Sequence, residues 1–407
     1  MANNQPDNKP TWLTVEEAWQ QLAQVAPSAQ LEVQQLPLNQ AVGYTLASAP
    51  VSLINVPPAD NSAMDGFAIS LANCIVGESY TISQRIPAGT APVELQAGTA
   101  ARIFTGSEVP EGADTVVMQE NADYDQQQVT FTRLPRLGEN IRRKGEDIAI
   151  GQPLLPKGHQ LRPQDIGLLA AAGVSEVEVQ RKLSIALIAT GDELVEPGQP
   201  LAPGKIYESN APMLQALLEG LGYSATVLRC VDDPAQTRQI LSNAADLHDV
   251  IITIGGVSVG EEDHVKDALQ ALGEINFWKI GLKPGKPFVL GNIADTPVMG
   301  LPGNPVSAFI TCCLFCKPFL RAMQGGEFTT PRHWTAKAAF ERNKPNARQQ
   351  YLRGQMVNNE ATLLAKQSSA VMTSLCEADV LVVIPAEQTV EKGQPVQVLP
   401  LLELVNC

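Results

Sequence analysis

Between Leu183 and Met323 two textures alternate: short, nearly continuous apolar runs, and stretches whose apolar residues recur every third or fourth position. The runs LSIALIAT, ATVLRCV, DVIITIGG, INFWKI and PVMGLPG predict strands. The stripe Met213, Leu214, Leu217, Leu218 and Leu221 predicts a helix with Asn210 as N-cap, Pro212 in its first turn and Gly222 closing it. PAQTRQILSNAADL, HVKDALQAL and a last segment from Asn304 read as further helices. Apolar strands alternating with amphipathic helices predict a doubly wound, mostly parallel sheet, whose ligands bind at the carboxyl ends of the strands.

The flanks are patterned differently. Thr14–Glu17 is a capping box opening a helix with apolar positions Val15, Ala18, Trp19, Leu22 and Val25. From about Val51 to Gly151, short alternating runs such as ARIFTG, DTVVMQE and QVTFTR sit between Gly/Pro turns, which predicts an inserted β-rich module. Helical signal returns at Pro163–Ala172, so this helix and the first are expected to share one discontinuous domain around the insertion. From Trp334 onward, VLVVIPA and PVQVLPL predict a small β-barrel or sandwich.

Length adds that 407 residues exceed what one hydrophobic core supports, about 250–300 residues. A net charge of −14 argues against general nucleic-acid binding but leaves room for a small anion at a local basic cluster. Two such clusters stand out: Arg142-Arg143-Lys144, and Lys279, Lys283 and Lys286. Seven cysteines at irregular spacing predict no disulfide framework and suit a reducing cytoplasm. The polar start MANNQPDNKP lacks the apolar core of a signal peptide, and no apolar run approaches the roughly 20 residues of a membrane span.

Gly256-Val257-Ser258-Val259-Gly260 satisfies G-x-S-x-G with a strand before and a helix after, the setting of a nucleophile elbow. A triad then needs a later histidine, and only His264 and His333 follow. His264 is too close in chain, His333 lies beyond the α/β segment, and Glu261, Glu262 and Asp263 would compete for the oxyanion's N–H donors. A glycine-rich turn with Ser258 as a cap is the better reading, and the N–H groups of such a turn suit an oxyanion. The ends of the first, third and last strands, TGDEL, GGVSVGEED and LPGNPVS, are such turns, and acids at the same rim of the sheet (Glu193, Asp233, Asp263) suit a divalent cation. Taken singly, each acid is also a helix cap. Lys283-Pro-Gly-Lys286-Pro287 fails as a Walker A loop, since Pro287 replaces the Mg²⁺-binding hydroxyl, and Cys313-Leu-Phe-Cys316 reads as packed core.

DNSAMDGFA, IRRKGEDI, ATGDELV, GKIYESN, GGVSVGEED, WKIGLKPGKP and GLPGNPVSA follow one another in this order. Together they resemble the molybdopterin molybdotransferases, the molybdenum-insertion enzymes that include the E domain of gephyrin. The resemblance implies a multidomain α/β plus β chain of four domains: 1–55 with 146–180, an inserted module 56–145, an α/β domain 181–329 and a C-terminal β-barrel domain 330–407. It implies a homodimer that inserts molybdate into adenylylated molybdopterin, releasing AMP, with Mg²⁺ or Zn²⁺ required. Passing contacts with the molybdopterin adenylyltransferase and apo-molybdoenzymes go with that role.

Position by position, the resemblance puts pterin-nucleotide contacts at Thr190, Gly191, Asp192, Gly255, Gly256, Ser258, Gly260, Pro302, Gly303, Asn304 and Ser307. Glu193, Asp233 and Asp263 match acids of metal and pyrophosphate chemistry, and Lys279 and Lys283 match basic site residues. Asp60, Thr105 and Asp147 match functional positions expected to face the other subunit, and Arg353 and Ser374 fall in the molybdate region. Glu208 stands where Asp or Asn is usual, and Glu377-Ala378-Asp379 departs from the usual Ala-Asn. Two rival roles for the sheet domain are adenylylation of molybdopterin and a non-catalytic scaffold that binds it.

Overall fold

The computed structural model describes residues 12–26, 29–256 and 264–406. At its centre lies a six-stranded sheet in the order Ser224–Cys230, Ser184–Thr190, Val250–Ile254, Thr296–Leu301, Pro287–Ile293, Gly273–Lys279. The first four strands are parallel, and the last two add an antiparallel meander. Strand Ser184–Thr190 shows why the apolar runs are continuous: Ile185, Leu187 and Ala189 face one core, Ala186 and Ile188 the other. The connection after this strand runs toward one edge and the one after Val250–Ile254 toward the other, so the switch point falls between Thr190 and Ile254.

Three expectations need correcting. Pro287–Ile293 is a strand in its own right, which makes the sheet mixed at that edge. Helix Asn210–Gly220 begins at Asn210, and the cap comes from Glu208, whose Oε1 accepts the Asn210 and Ala211 N–H groups at 2.7 and 2.9 Å. The helical run Pro305–Met323 is also long and apolar enough to cross a membrane, but 78% of its most apolar 18-residue stretch is buried inside the protein. It holds a π-helical turn, Cys312–Cys316, whose cysteines are core residues. Contact with Cys316 and burial push the Cys312 thiol well up, and burial does the same to Cys313.

Helix Val15–Val25 has the expected capping box but another partner. Its buried face joins the core of the central sheet, and the Trp19 indole N–H donates to the Leu314 carbonyl at 2.8 Å. Helix Pro163–Ala171 packs in a separate small core with Leu38, Leu46, Val177 and Val179. There Glu176–Gln180 pairs with Val33–Pro37 and Thr45–Leu46, joining the two sides of the insertion. The inserted module is a six-stranded sheet, and the pairing of Asn61–Ser62 with Ile141–Arg142 draws DNSAMDG and IRRKGED together.

At the C-terminal end, Gln349–Val357, Glu360–Leu363, Trp334–Ala338, Pro395–Pro400 and Val380–Ile384 close into a five-stranded barrel. The central domain lends it a strand: Leu282–Lys283 pairs in parallel with Gln349 and Gln350.

Candidate functional site

Two clefts open at the carboxyl ends of the central strands and share the Gly303-Asn304 turn. The first, of about 650 Å³, lies at the switch point and is walled by Thr190, Gly191, Gly255 and Gly256. Thr190 Oγ1 donates to the Ile254 carbonyl at 3.3 Å, and the Gly255 N–H to Leu301 at 3.0 Å, so three strand ends are tied together here. Glu193, Glu208 and Asp232 line this cleft, and among the described residues no lysine or arginine does. Asn210 donates from Nδ2 to the Gly303 carbonyl at 2.7 Å, clamping the shared turn to the neighbouring helix. Gly191 has φ +137, and a Cβ there would stand 2.5 Å from the Glu193 carboxylate.

The second cleft, of about 620 Å³, lies between the central sheet and the barrel. Its charge is opposite: Lys283, Lys286, Arg342, Arg348 and Arg353 line it, and among the described residues no carboxylate does. Lys283 and Lys286 come from the central domain and the arginines from the barrel side, so neither domain makes the site alone. Arg353 is fully buried. Its Nε donates to Ser374 Oγ at 3.2 Å and Nη2 to the Ser368 carbonyl at 2.9 Å, while Nη1 has no hydrogen-bond partner among the described residues. Gln367 grips the Arg353 backbone from both sides, accepting its N–H at 3.0 Å and donating to its carbonyl at 2.7 Å. Burial lowers the pKa of Arg353 from the ordinary arginine value. Ser374 sits behind the arginine and donates onward to Val371 at 2.7 Å.

The remaining site residues named from the sequence are placed as follows. Thr190, Gly191, Glu193, Gly255 and Gly256 gather at the acidic cleft; Lys283, Pro302, Ser307 and Arg353 gather at the basic one; Gly303 and Asn304 belong to both. Asp233 caps helix Pro234–Leu247, accepting the Gln236 N–H at 2.8 Å, and its neighbour Asp232 is the residue that lines the cleft. Asp192 and Asp232 exchange hydrogen bonds between N–H and carboxylate at 3.1 and 3.2 Å. Lys279 lines neither cleft; its carbonyl accepts the Leu13 N–H. Ser258, Gly260 and Asp263 lie outside the described residues. Among the described residues no three His, Cys, Asp or Glu side chains come together to hold a metal ion.

Asp60, Thr105 and Asp147 sit in or beside the inserted module and line neither cleft of their own chain. Asp60 pairs with Arg143 at 2.6 Å and accepts the Lys144 N–H at 2.8 Å. That N–H bond leads in holding its carboxyl below the usual range. Thr105 donates both its N–H and its hydroxyl to Asp65 Oδ1 at 2.8 Å. Sequence inspection missed Asp232, Arg342, Arg348 and Gln350. The readable signal was the basic run ERNKPNAR just before a strand, and the first of two adjacent aspartates at a strand end.

Residues 13–173 match the family model of the MoeA N-terminal region (domain I and II). Residues 186–322 match a probable molybdopterin binding domain, and 335–401 the MoeA C-terminal region (domain IV). The chain is similar to the molybdopterin molybdenumtransferase of Haemophilus influenzae, 36% identical over 404 residues that cover 97% of this chain and 100% of the relative. Molybdopterin molybdenumtransferase 2 of Mycobacterium tuberculosis is also 36% identical, over 90% of this chain and 94% of its own. The solved molybdopterin biosynthesis MoeA protein of Pyrococcus horikoshii OT3 has a TM-score of 0.81 at 28% identity, covering 96% of this chain and 100% of that one.

Proposed function

This chain belongs to the MoeA family of molybdopterin molybdenumtransferases, and from that premise we propose how its two clefts divide the work of inserting molybdenum. It is a transferase of molybdenum-cofactor biosynthesis. In our reading, molybdate enters the basic cleft and the adenylylated pterin spans the shared Gly303-Asn304 turn from the acidic side. The observation that carries this is the buried guanidinium of Arg353, without a carboxylate partner among the described residues, beside four further cations. A buried charge without a partner is costly, and a dianionic oxyanion in the adjoining cleft supplies the compensation.

The other parts follow from local chemistry. N–H groups at the Gly255-Gly256 turn and at the start of helix Pro305–Thr311 suit the substrate's phosphate oxygens. Lys283 and Lys286 orient molybdate against the dithiolene and offset charge as AMP departs. Hard carboxylate oxygens at the acidic cleft suit a divalent cation. The described carboxylates form no three-ligand cluster, so a need for Mg²⁺ or Zn²⁺ rests on the resemblance and is tested by removing the ion. Asp60, Thr105 and Asp147, which line neither cleft here, act on the partner subunit of a homodimer. The protein works in the cytoplasm, meeting the adenylyltransferase and apo-molybdoenzymes in passing.

Incubating the purified protein with adenylylated molybdopterin, Mg²⁺ and molybdate tests this. AMP release together with molybdate-dependent reconstitution of an apo-molybdoenzyme is the expected result. Tight binding without AMP release would make the protein a carrier and refute insertion.

A further inference from the structure

The outer wall of the acidic cleft is an excursion between the first strand and the following helix. Leu194–Val195 pairs in parallel with Ile206–Tyr207, and the intervening loop returns on itself. Backbone bonds fix both sides of Tyr207: the Ile206 N–H donates to Glu193 at 2.9 Å and the Glu208 N–H to Val195 at 2.8 Å. The Tyr207 hydroxyl donates to the Gln199 carbonyl at 3.1 Å. Ile206 and Tyr207 nevertheless remain 55% and 45% exposed, and both line the cleft. A tethered tyrosine with its donor spent offers its ring to the cleft and little else.

What such a ring would meet follows from the charge across from it. Glu193 and Asp232 line the same cleft without a cation among the described residues lining it, while buried Glu208 is engaged as the helix cap, and this disfavours a phosphate against this wall. The carboxylates favour a flat group that carries N–H donors. We infer that Tyr207 is the stacking platform for an amino-substituted planar heterocycle, and so a specificity-determining residue of the acidic cleft. The inference rests on the reading of this cleft as the adenylylated-pterin site, and adds which part of the substrate meets which wall. That substrate has two such rings, adenine and pterin, which share the chemistry.

The test uses full-length protein carrying Tyr207→Phe, Tyr207→Leu or Tyr207→Ala. Steady-state AMP release gives KM and kcat, and calorimetry gives Kd for AMP alone and for molybdopterin alone. Stacking predicts that Tyr207→Phe stays within about threefold of wild type, while Leu and Ala raise KM about tenfold with little change in kcat. One of the two isolated ligands should weaken by a similar factor, which names the ring. Wild-type turnover with KM and both Kd values unchanged in Tyr207→Ala overturns the platform and leaves the function standing. A wild-type protein that releases no AMP overturns the function and the inference with it. Because the side chain is exposed, the thermal midpoint should not move; Tyr207→Leu guards against a void in Tyr207→Ala.

Discussion

Arg353 places a charge where solvent does not reach, with its Nη1 unpaired among the described residues. Replacing it with Leu removes the charge and leaves a side chain suited to the interior. Arg353→Leu should therefore keep a native circular dichroism spectrum while the molybdate half-saturation rises about tenfold to a hundredfold, the value of one or two charge-assisted contacts. AMP binding, at the other cleft, should hardly change; equal losses at both clefts would mean a structural role. At this scale the sequence spoke unevenly. Lys283 and Arg353 were legible through motif and resemblance, whereas Asp232 was hidden beside Asp233. Two adjacent aspartates at a strand end look alike until the backbone decides which one caps the helix and which one faces the cleft.

Elements were easier to read than their partners. The capping box fixed where helix Val15–Val25 begins, but a stripe of apolar residues says only that something covers it, and the central sheet is what does. Strand Pro287–Ile293 escaped because its hairpin lacks the usual turn chemistry: Ala294, at φ 48, occupies a place where Asn or Gly gives the familiar signal. The turn before that strand is equally particular. Gly285 has φ +110, and a Cβ there would approach Thr311 Oγ1 to 2.7 Å. Gly285→Ala should cost about 1–3 kcal/mol of stability and displace both lysines of the turn. A lower thermal midpoint accompanied by a higher molybdate half-saturation is the expected pair of readings, and an unchanged midpoint would contradict it.

On the scale of the whole molecule, two expectations concern how domains hold and how subunits share work. Asp165 is buried beside His159 and Arg162, with bonds of 2.8 Å to His159 and 2.9 Å to Arg162 Nε. Burial opposes its ionisation, yet the hydrogen bonds from Arg162 and His159 prevail and hold its carboxyl well below the usual range. A depressed folded-state pKa stabilises the protein above the unfolded value, near 3.9, and that stability is lost as pH falls through the folded value. Asp165→Asn should thus be less stable at neutral pH, on the order of 2 kcal/mol, with the gap closing below about pH 4 in denaturant titrations. A gap that persists in acid would point to packing instead. For the subunits, Thr105→Ala and Glu193→Ala proteins, each inactive, should recover about a quarter of wild-type AMP release when refolded together. Half the dimers are then mixed, and each of those has one intact composite site. No recovery would put both residues in the same subunit's site.

The strand that the central domain lends to the barrel has a consequence for how the chain may be divided. Residues 282–283 and 349–350 are joined by main-chain pairing across what a linear map draws as a border near residue 330. The Gln349 N–H reaches the Gly281 carbonyl at 2.9 Å and the Arg348 guanidinium reaches that of Leu282 at 3.2 Å, so the seam has backbone and side-chain stitches. Modular exchange of the barrel between relatives therefore carries half of a shared strand pair with it. Whatever barrel is grafted on must match the register of a donor strand that stays behind in the other piece.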